Sequence, residues 1–331
     1  RINLNTLDIE ELCKLIFSGD RKAIANAITL VESTKHEDQD SASHLLTLIE
    51  SQQNQSIRIG ISGPPGVGKS TFIEAIGHSV LESDERLAIL AIDPSSTISG
   101  GSILGDKTRM ESLSRNENTF IRPSPSGGNL GGVHRSTRES VSILEAAGYS
   151  VILIETVGVG QAETEVFEMT DIFLVLLSPG GGDELQGIKR GIIELADILV
   201  VNKADGNLEA TSRSTVLDYK NALKLLKPRI QGWNVPVLPC SALEKNGVDQ
   251  IWNEVINLKD HLVKTGQLEK NRLEQHKIGL KNKKKNSILS AIEADDELLD
   301  RLSETKTTDL DWVKKMSFFS LVIKKIKDKI K

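Results

Sequence analysis

Eight consecutive residues, Gly63-Pro64-Pro65-Gly66-Val67-Gly68-Lys69-Ser70, have the types and spacing that wrap a chain of phosphates. The glycines let backbone N–H groups converge on phosphate oxygens with no Cβ in the way. Lys69 supplies a point charge for the β- and γ-phosphates, and Ser70 offers a hydroxyl to Mg²⁺. The helix expected from Thr71 onward turns its positive N-terminal end toward the same anion.

A second constellation lies farther along, at Asn202-Lys203-Ala204-Asp205, directly after an apolar run. A carboxylate at Asp205 can accept two hydrogen bonds from guanine, one from N1–H and one from the 2-amino group. Adenine lacks that donor pair and would leave the carboxylate unsatisfied, so discrimination can be large. Lys203 is expected along the base plane. Ser241-Ala242-Leu243, one strand later, suits a loop that backs the base with its N–H groups.

Magnesium needs hard oxygen ligands besides Ser70. Three acids stand where strands or Gly-rich loops end: Asp93 in Asp93-Pro94-Ser95-Ser96, Asp106 after Gly105, and Glu155 before Thr156-Val157-Gly158-Val159-Gly160. Strand C-termini face the crevice where ligands bind in open α/β sheets. Ser70, Asp93, Asp106 and Glu155 are therefore the candidate metal ligands, and Lys69 and Glu155 the candidate catalytic groups. Three Gly-rich stretches, Ser99–Gly105, Ser124–Gly132 and Ser178–Gly187, are candidate functional loops. The third, with Asp183, is placed to sense the γ-phosphate or a partner. Arg109 and Arg138 are expected to serve the surface or a partner rather than phosphate.

The elements that must position these groups follow from hydrophobic periodicity. Short apolar runs at Ile57–Ser62, Leu87–Asp93, Thr119–Arg122, Val151–Glu155, Ile172–Leu177, Ile198–Asn202 and Val235–Pro239 read as strands. Helical patterns fall between them, as in Thr71–Leu81, Arg135–Ala147 and Leu208–Leu226. Strand–helix alternation of this kind predicts a doubly wound, mostly parallel α/β sheet. Three helical patterns precede it. The expected organisation is an N-terminal helical extension over 1–55, a nucleotide-hydrolase domain over 56–263, and a charged helical arm over 264–331.

Composition narrows the function classes. The chain has 331 residues with 41 Lys and Arg against 46 Asp and Glu, a net charge of −5 that argues against nucleic acid as the main partner. Cys13 and Cys240 lack metal-ligand spacing and read as thiols in a reducing compartment. No apolar run suits a membrane span or an export signal, so a cytoplasmic setting is expected. His36, His44, His78, His134, His261 and His276 show no ligand spacing either.

The motif stretches resemble those of the MeaB/ArgK/MMAA GTPases, chaperones of adenosylcobalamin-dependent acyl-CoA mutases. Besides the phosphate loop through Thr71, the likeness rests on Gly105-Asp106-Lys107-Thr108-Arg109-Met110, Arg122-Pro123-Ser124-Pro125-Ser126 and Glu155-Thr156-Val157-Gly158-Val159-Gly160-Gln161. It also rests on Gly182-Asp183-Glu184-Leu185-Gln186-Gly187-Ile188-Lys189. The resemblance implies slow GTP hydrolysis accelerated by a mutase such as methylmalonyl-CoA mutase, and a nucleotide state that gates cofactor loading or protection. It implies a homodimer, it puts Ser70, Asp93, Asp106 and Glu155 at Mg²⁺ and catalytic positions, with Asp93 a catalytic group beside Lys69 and Glu155, and it puts Gln161 and Lys189 in switch segments. Ser126-Gly127-Gly128-Asn129 and the Lys-rich C-terminus depart from the family pattern.

Two other functions compete with this one. An ATPase or kinase for basic amino-acid (LAO/AO) transport is disfavoured by Asn202–Asp205. A metal-insertion GTPase would carry a His- or Cys-rich segment, and none is present. The tail from Trp312 to Ile330 has one apolar and one basic helical face, which suits packing on protein better than on a membrane surface.

Overall fold

The computed structural model describes residues 8–33, 35–50, 56–93, 110–125, 132–156, 162–180 and 190–293. Three helices open the chain: α1 (Ile9–Phe17), α2 (Arg21–Glu32) and α3 (His36–Ile49). Asp8 and Asp20 cap the first two, accepting from the N–H groups of Glu10 and Ala23 and so satisfying donors that helix geometry leaves open.

Strands and helices then alternate. They are β1 (Ile57–Ser62), α4 (Lys69–Glu82), β2 (Leu87–Asp93), the single turn α5 (Glu111–Ser114), β3 (Thr119–Pro125), α6 (Gly132–Ala146) and β4 (Val151–Thr156). The series continues with α7 (Ala162–Phe167), β5 (Ile172–Leu177), α8 (Arg190–Leu195), β6 (Ile198–Val201), α9 (Glu209–Leu223), β7 (Val237–Pro239), α10 (Val248–Lys264) and α11 (Gln267–Glu293).

Seven strands form one sheet in the order β3-β2-β4-β1-β5-β6-β7. Every pairing is parallel. The doubly wound parallel sheet expected from the strand–helix alternation is therefore the observed architecture. Parallel strands need covered faces, and alternate residues go to opposite sides. In β5, Phe173, Val175 and Leu177 join the apolar core shared with α1–α3 and α6. Ile172, Leu174 and Leu176 join the core beneath α4 and α10. The three N-terminal helices thus bury Leu12, Ile16, Ile24, Ile28, Leu45 and Ile49 in a core continuous with one sheet face.

The chain forms two compact units, 1–272 and 273–331. Of the second, only the helical residues to Glu293 are described. The basic, apolar tail from Trp312 to Ile330 lies outside the described residues. No helix among the described residues is long and apolar enough to cross a membrane.

Candidate functional site

Because all strands run the same way, their C-terminal ends share one edge of the sheet. That edge carries the phosphate loop after β1, Asp93 at the end of β2, Glu155 at the end of β4, Asn202 after β6 and Ser241 after β7. Residues as distant in sequence as Gly63 and Ser241 thereby meet at one crevice, at the position where such sheets bind ligands.

The loop between β1 and α4 depends on its glycines. Gly63 and Gly68 have φ of 151° and 93°, values that side chains with a Cβ rarely adopt. A Cβ at Gly63 would lie 2.6 Å from the Leu176 carbonyl oxygen, and one at Gly68 would lie 2.7 Å from Asn202 Nδ2. Pro65 and Gly66 at the tip are exposed, Pro64 is half-buried and Val67 is buried. Lys69 opens α4 and is 8% exposed, with Nζ donating to the carbonyls of Gly63 at 2.8 Å and Pro64 at 3.2 Å. Burial lowers the pKa of this ammonium, and the charges of Glu155 and Glu163 oppose that shift. Ser70 is half-buried beside it, and Thr71 is exposed.

The second motif is joined to the first. The buried Asn202 donates through Nδ2 to the Val67 carbonyl at 2.9 Å and accepts through Oδ1 from the Ala242 N–H at 3.1 Å. Lys203 Nζ donates to the Gly66 carbonyl at 2.7 Å, from a backbone at φ 61°. Asp205 accepts from the Ser241 hydroxyl, and Ser241 Oγ accepts from the Glu244 N–H at 3.1 Å. The Ala204 N–H donates to the Cys240 carbonyl at 2.9 Å, so the Asp205 turn and the Ser241 loop are held side by side. Ala242 is buried, whereas the Leu243 side chain is 79% exposed. The Cys240 thiol is pushed up to about 12, by burial first and then by the Asp205 charge.

The structure thus brings Gly63 to Thr71, Glu155, Asn202, Lys203, Asp205 and Ser241 to Leu243 to one edge. Asp93 is the last residue of β2, paired with Pro125, but its side chain is outside the described part. Asp106, Gln161, Asp183 and Lys189 lie outside the described residues, as do most residues of the three Gly-rich loops.

Sequence reasoning missed Ser62, Thr156 and Glu163, which form a buried polar chain under the loop. The one signal available was a hydroxyl at the end of β1, just before Gly63. Among the described residues no group of three or more His, Cys, Asp and Glu side chains is placed to hold a metal.

Comparison with known proteins agrees with this geometry. A family profile described as methylmalonyl Co-A mutase-associated GTPase MeaB matches residues 24–297. The mitochondrial methylmalonic aciduria type A homolog of Mus musculus is 46% identical over 284 residues, spanning 83% of this chain and 68% of that protein. GTPase ArgK of Escherichia coli (strain K12) is 43% identical over 294 residues, spanning 89% of each. The crystal structure of LAO/AO transport system kinase superposes with a TM-score of 0.75 at 33% identity, over 99% of both chains. The chain therefore belongs to the MeaB family of methylmalonyl-CoA mutase-associated P-loop GTPases.

Proposed function

We propose that this GTPase hydrolyses GTP with Mg²⁺ and uses its nucleotide state to gate cofactor loading or protection of an adenosylcobalamin-dependent acyl-CoA mutase, such as methylmalonyl-CoA mutase. The observation that carries the nucleotide half is the Asn202 bridge, which ties the phosphate loop to the Ala242 turn and so fixes phosphate and base subsites relative to each other. The phosphate chain lies against the N–H groups of Gly63 to Thr71, with Lys69 countering its charge. Asp205 reads the guanine edge, Lys203 flanks the base, and Ser241, Ala242 and Leu243 back it.

The candidate metal donors suit magnesium in kind. They are a hydroxyl and carboxylates, hard oxygen ligands too few for an all-protein cage, and Mg²⁺ characteristically completes its shell with waters and substrate phosphates. Ser70, Asp93, Asp106 and Glu155 would hold it, and it would neutralise charge developing on the transferred phosphoryl group. Glu155 orients the attacking water, while Gln161, Asp183 and Lys189 belong to segments that respond to the γ-phosphate.

The mutase half rests on the family and on the name of the mouse relative. In this reading residues 264–331 form a dimerisation or partner arm, the chain works as a homodimer, and its compartment is the cytoplasm. The alternative, an ATPase or kinase for basic amino-acid transport, has a solved relative's name behind it. The carboxylate of Asp205 beside Ser241 favours guanine instead.

Titration calorimetry with GDP and ADP in Mg²⁺ tests the reading. GDP is expected to bind at least about a hundredfold tighter, and Asp205→Asn to erase most of that difference. Equal affinities, or a GDP preference untouched in Asp205→Asn, would refute the base assignment. GTP turnover unaffected by any purified acyl-CoA mutase would remove the partner assignment.

A further inference from the structure

Ser62 is the last residue of β1, wholly buried, and immediately precedes Gly63. Its hydroxyl is the middle of a chain. Thr156 Oγ1 donates to Ser62 Oγ at 3.2 Å, and Ser62 Oγ donates to Glu163 Oε1 at 3.3 Å. A hydroxyl has one proton and two lone pairs, so this node gives the chain a direction, from Thr156 through Ser62 to the carboxylate. Thr156 closes β4 and Glu163 lies in the first turn of α7. The end of β4 and the start of α7 are therefore tied through one hydroxyl at the root of the phosphate loop. Thr156 is wholly buried and Glu163 is 4% exposed.

A first-turn acid on a helix ordinarily faces water and serves the helix dipole. Glu163 instead turns inward to Ser62, and its charge also acts on Lys69. Burying a carboxylate is costly unless it is hydrogen-bonded or paired.

We propose that Ser62 and Glu163 are positioning residues for GTP hydrolysis: with Thr156 they tie the end of β4 and the start of α7 to the root of the phosphate loop, and so set the stance of Glu155, the neighbour of Thr156 on β4. The inference rests on the preceding assignment of Glu155 to hydrolysis. Neither Ser62 nor Glu163 needs to touch nucleotide in this role.

Paired substitutions in the full chain test it, with single-turnover GTP hydrolysis, GDP affinity and thermal unfolding measured in Mg²⁺. Ser62→Ala, Thr156→Val and Glu163→Leu each remove one link. Thr156→Ser and Glu163→Gln keep a hydroxyl or an acceptor in place. Loss of one such hydrogen bond at the transition state corresponds to about tenfold in rate. The first three variants are expected to slow hydrolysis by about that factor while GDP affinity stays within about threefold, and the two conservative variants to stay near the parent rate.

Parent-like rates in Ser62→Ala and Thr156→Val would overturn the proposal. So would conservative variants as slow as their partners, or slow hydrolysis that merely follows weakened GDP binding. Thr156→Val nearly preserves volume, which keeps the test decisive if Ser62→Ala fails to fold. Glu155→Ala in the same assay separates the two assignments. Full turnover there defeats the role given to Glu155, whereas the clamp is judged on the paired variants.

Discussion

The Asn202 carboxamide is 2% exposed and spends both ends on the protein, Nδ2 on the Val67 carbonyl and Oδ1 on the Ala242 N–H. Truncating it strands two backbone groups, each at a cost of about 1–3 kcal/mol. Asn202→Ala is expected to lower stability to urea by about 2–4 kcal/mol and to weaken GDP at least about tenfold in calorimetry, because phosphate and base subsites lose their common tie. Lost stability with unchanged affinity would separate the bridge from the site.

Cys240 gives a prediction of a different kind at the same scale. Its thiol, ordinarily at 9.0, is pushed up to about 12 in the folded chain. Between those values the folded chain keeps a proton that the unfolded chain has released. This contribution to stability is complete below pH 9.0 and is lost as pH rises toward 12. The slope is about 1.4 kcal/mol per pH unit. Urea unfolding from about pH 8 to about pH 11 is expected to show this extra fall in the parent and not in Cys240→Ala. Parallel curves would contradict it.

At the scale of elements, the apolar runs announced all seven strands, because a sheet covered on both faces leaves a near-continuous hydrophobic signature. Their ends were less legible. β3 continues to Pro125 because its register with β2 runs through Asp93↔Pro125, beyond the point where the polar Ser124 and the two prolines break the apolar run. β7 begins at Val237 because Pro236 has no N–H to give the ladder. What periodicity could not announce is the pairing of charges remote in sequence. Asp171, just before β5, accepts from the Arg58 N–H at 2.8 Å and from the Arg272 guanidinium, 101 residues away, at 2.6 Å and 2.8 Å. Its side chain is wholly buried while that of Arg272 is 25% exposed. Arg272 also donates to the Ser56 carbonyl at 2.6 Å, so the start of α11 is fastened to the N-terminal edge of the sheet. Asp171→Ala leaves these donors uncompensated, and a loss of about 3–5 kcal/mol in urea unfolding is expected. GDP affinity is expected to hold, since this edge is opposite the phosphate loop. A large fall in affinity alongside the loss of stability would show that the two edges are coupled.

For the whole molecule, the two motifs were legible because each is a short contiguous stretch, and the parallel sheet brings both to one edge. The chain Thr156–Ser62–Glu163 escaped notice because Ser62 is 94 and 101 residues from its partners in sequence and meets them only in the folded chain, where Ile61 lies opposite Glu155. The same logic bears on how much of the chain the site requires. Every described residue of the crevice, both cores and the Asp171–Arg272 fastening lie within the unit 1–272. That unit is expected to fold and bind nucleotide without residues 273–331. GDP at about a hundred times its dissociation constant stabilises a folded chain by about 2.7 kcal/mol, which raises the midpoint of thermal unfolding by several degrees. A chain ending at Arg272 is expected to unfold cooperatively and to show the same GDP-dependent rise as the parent, with Lys69→Ala abolishing most of it in both. If the shortened chain unfolds cooperatively but shows no rise, the removed residues complete the nucleotide site. If it does not fold, the core of 1–272 is insufficient by itself. Either outcome would contradict the independence of the GTPase unit.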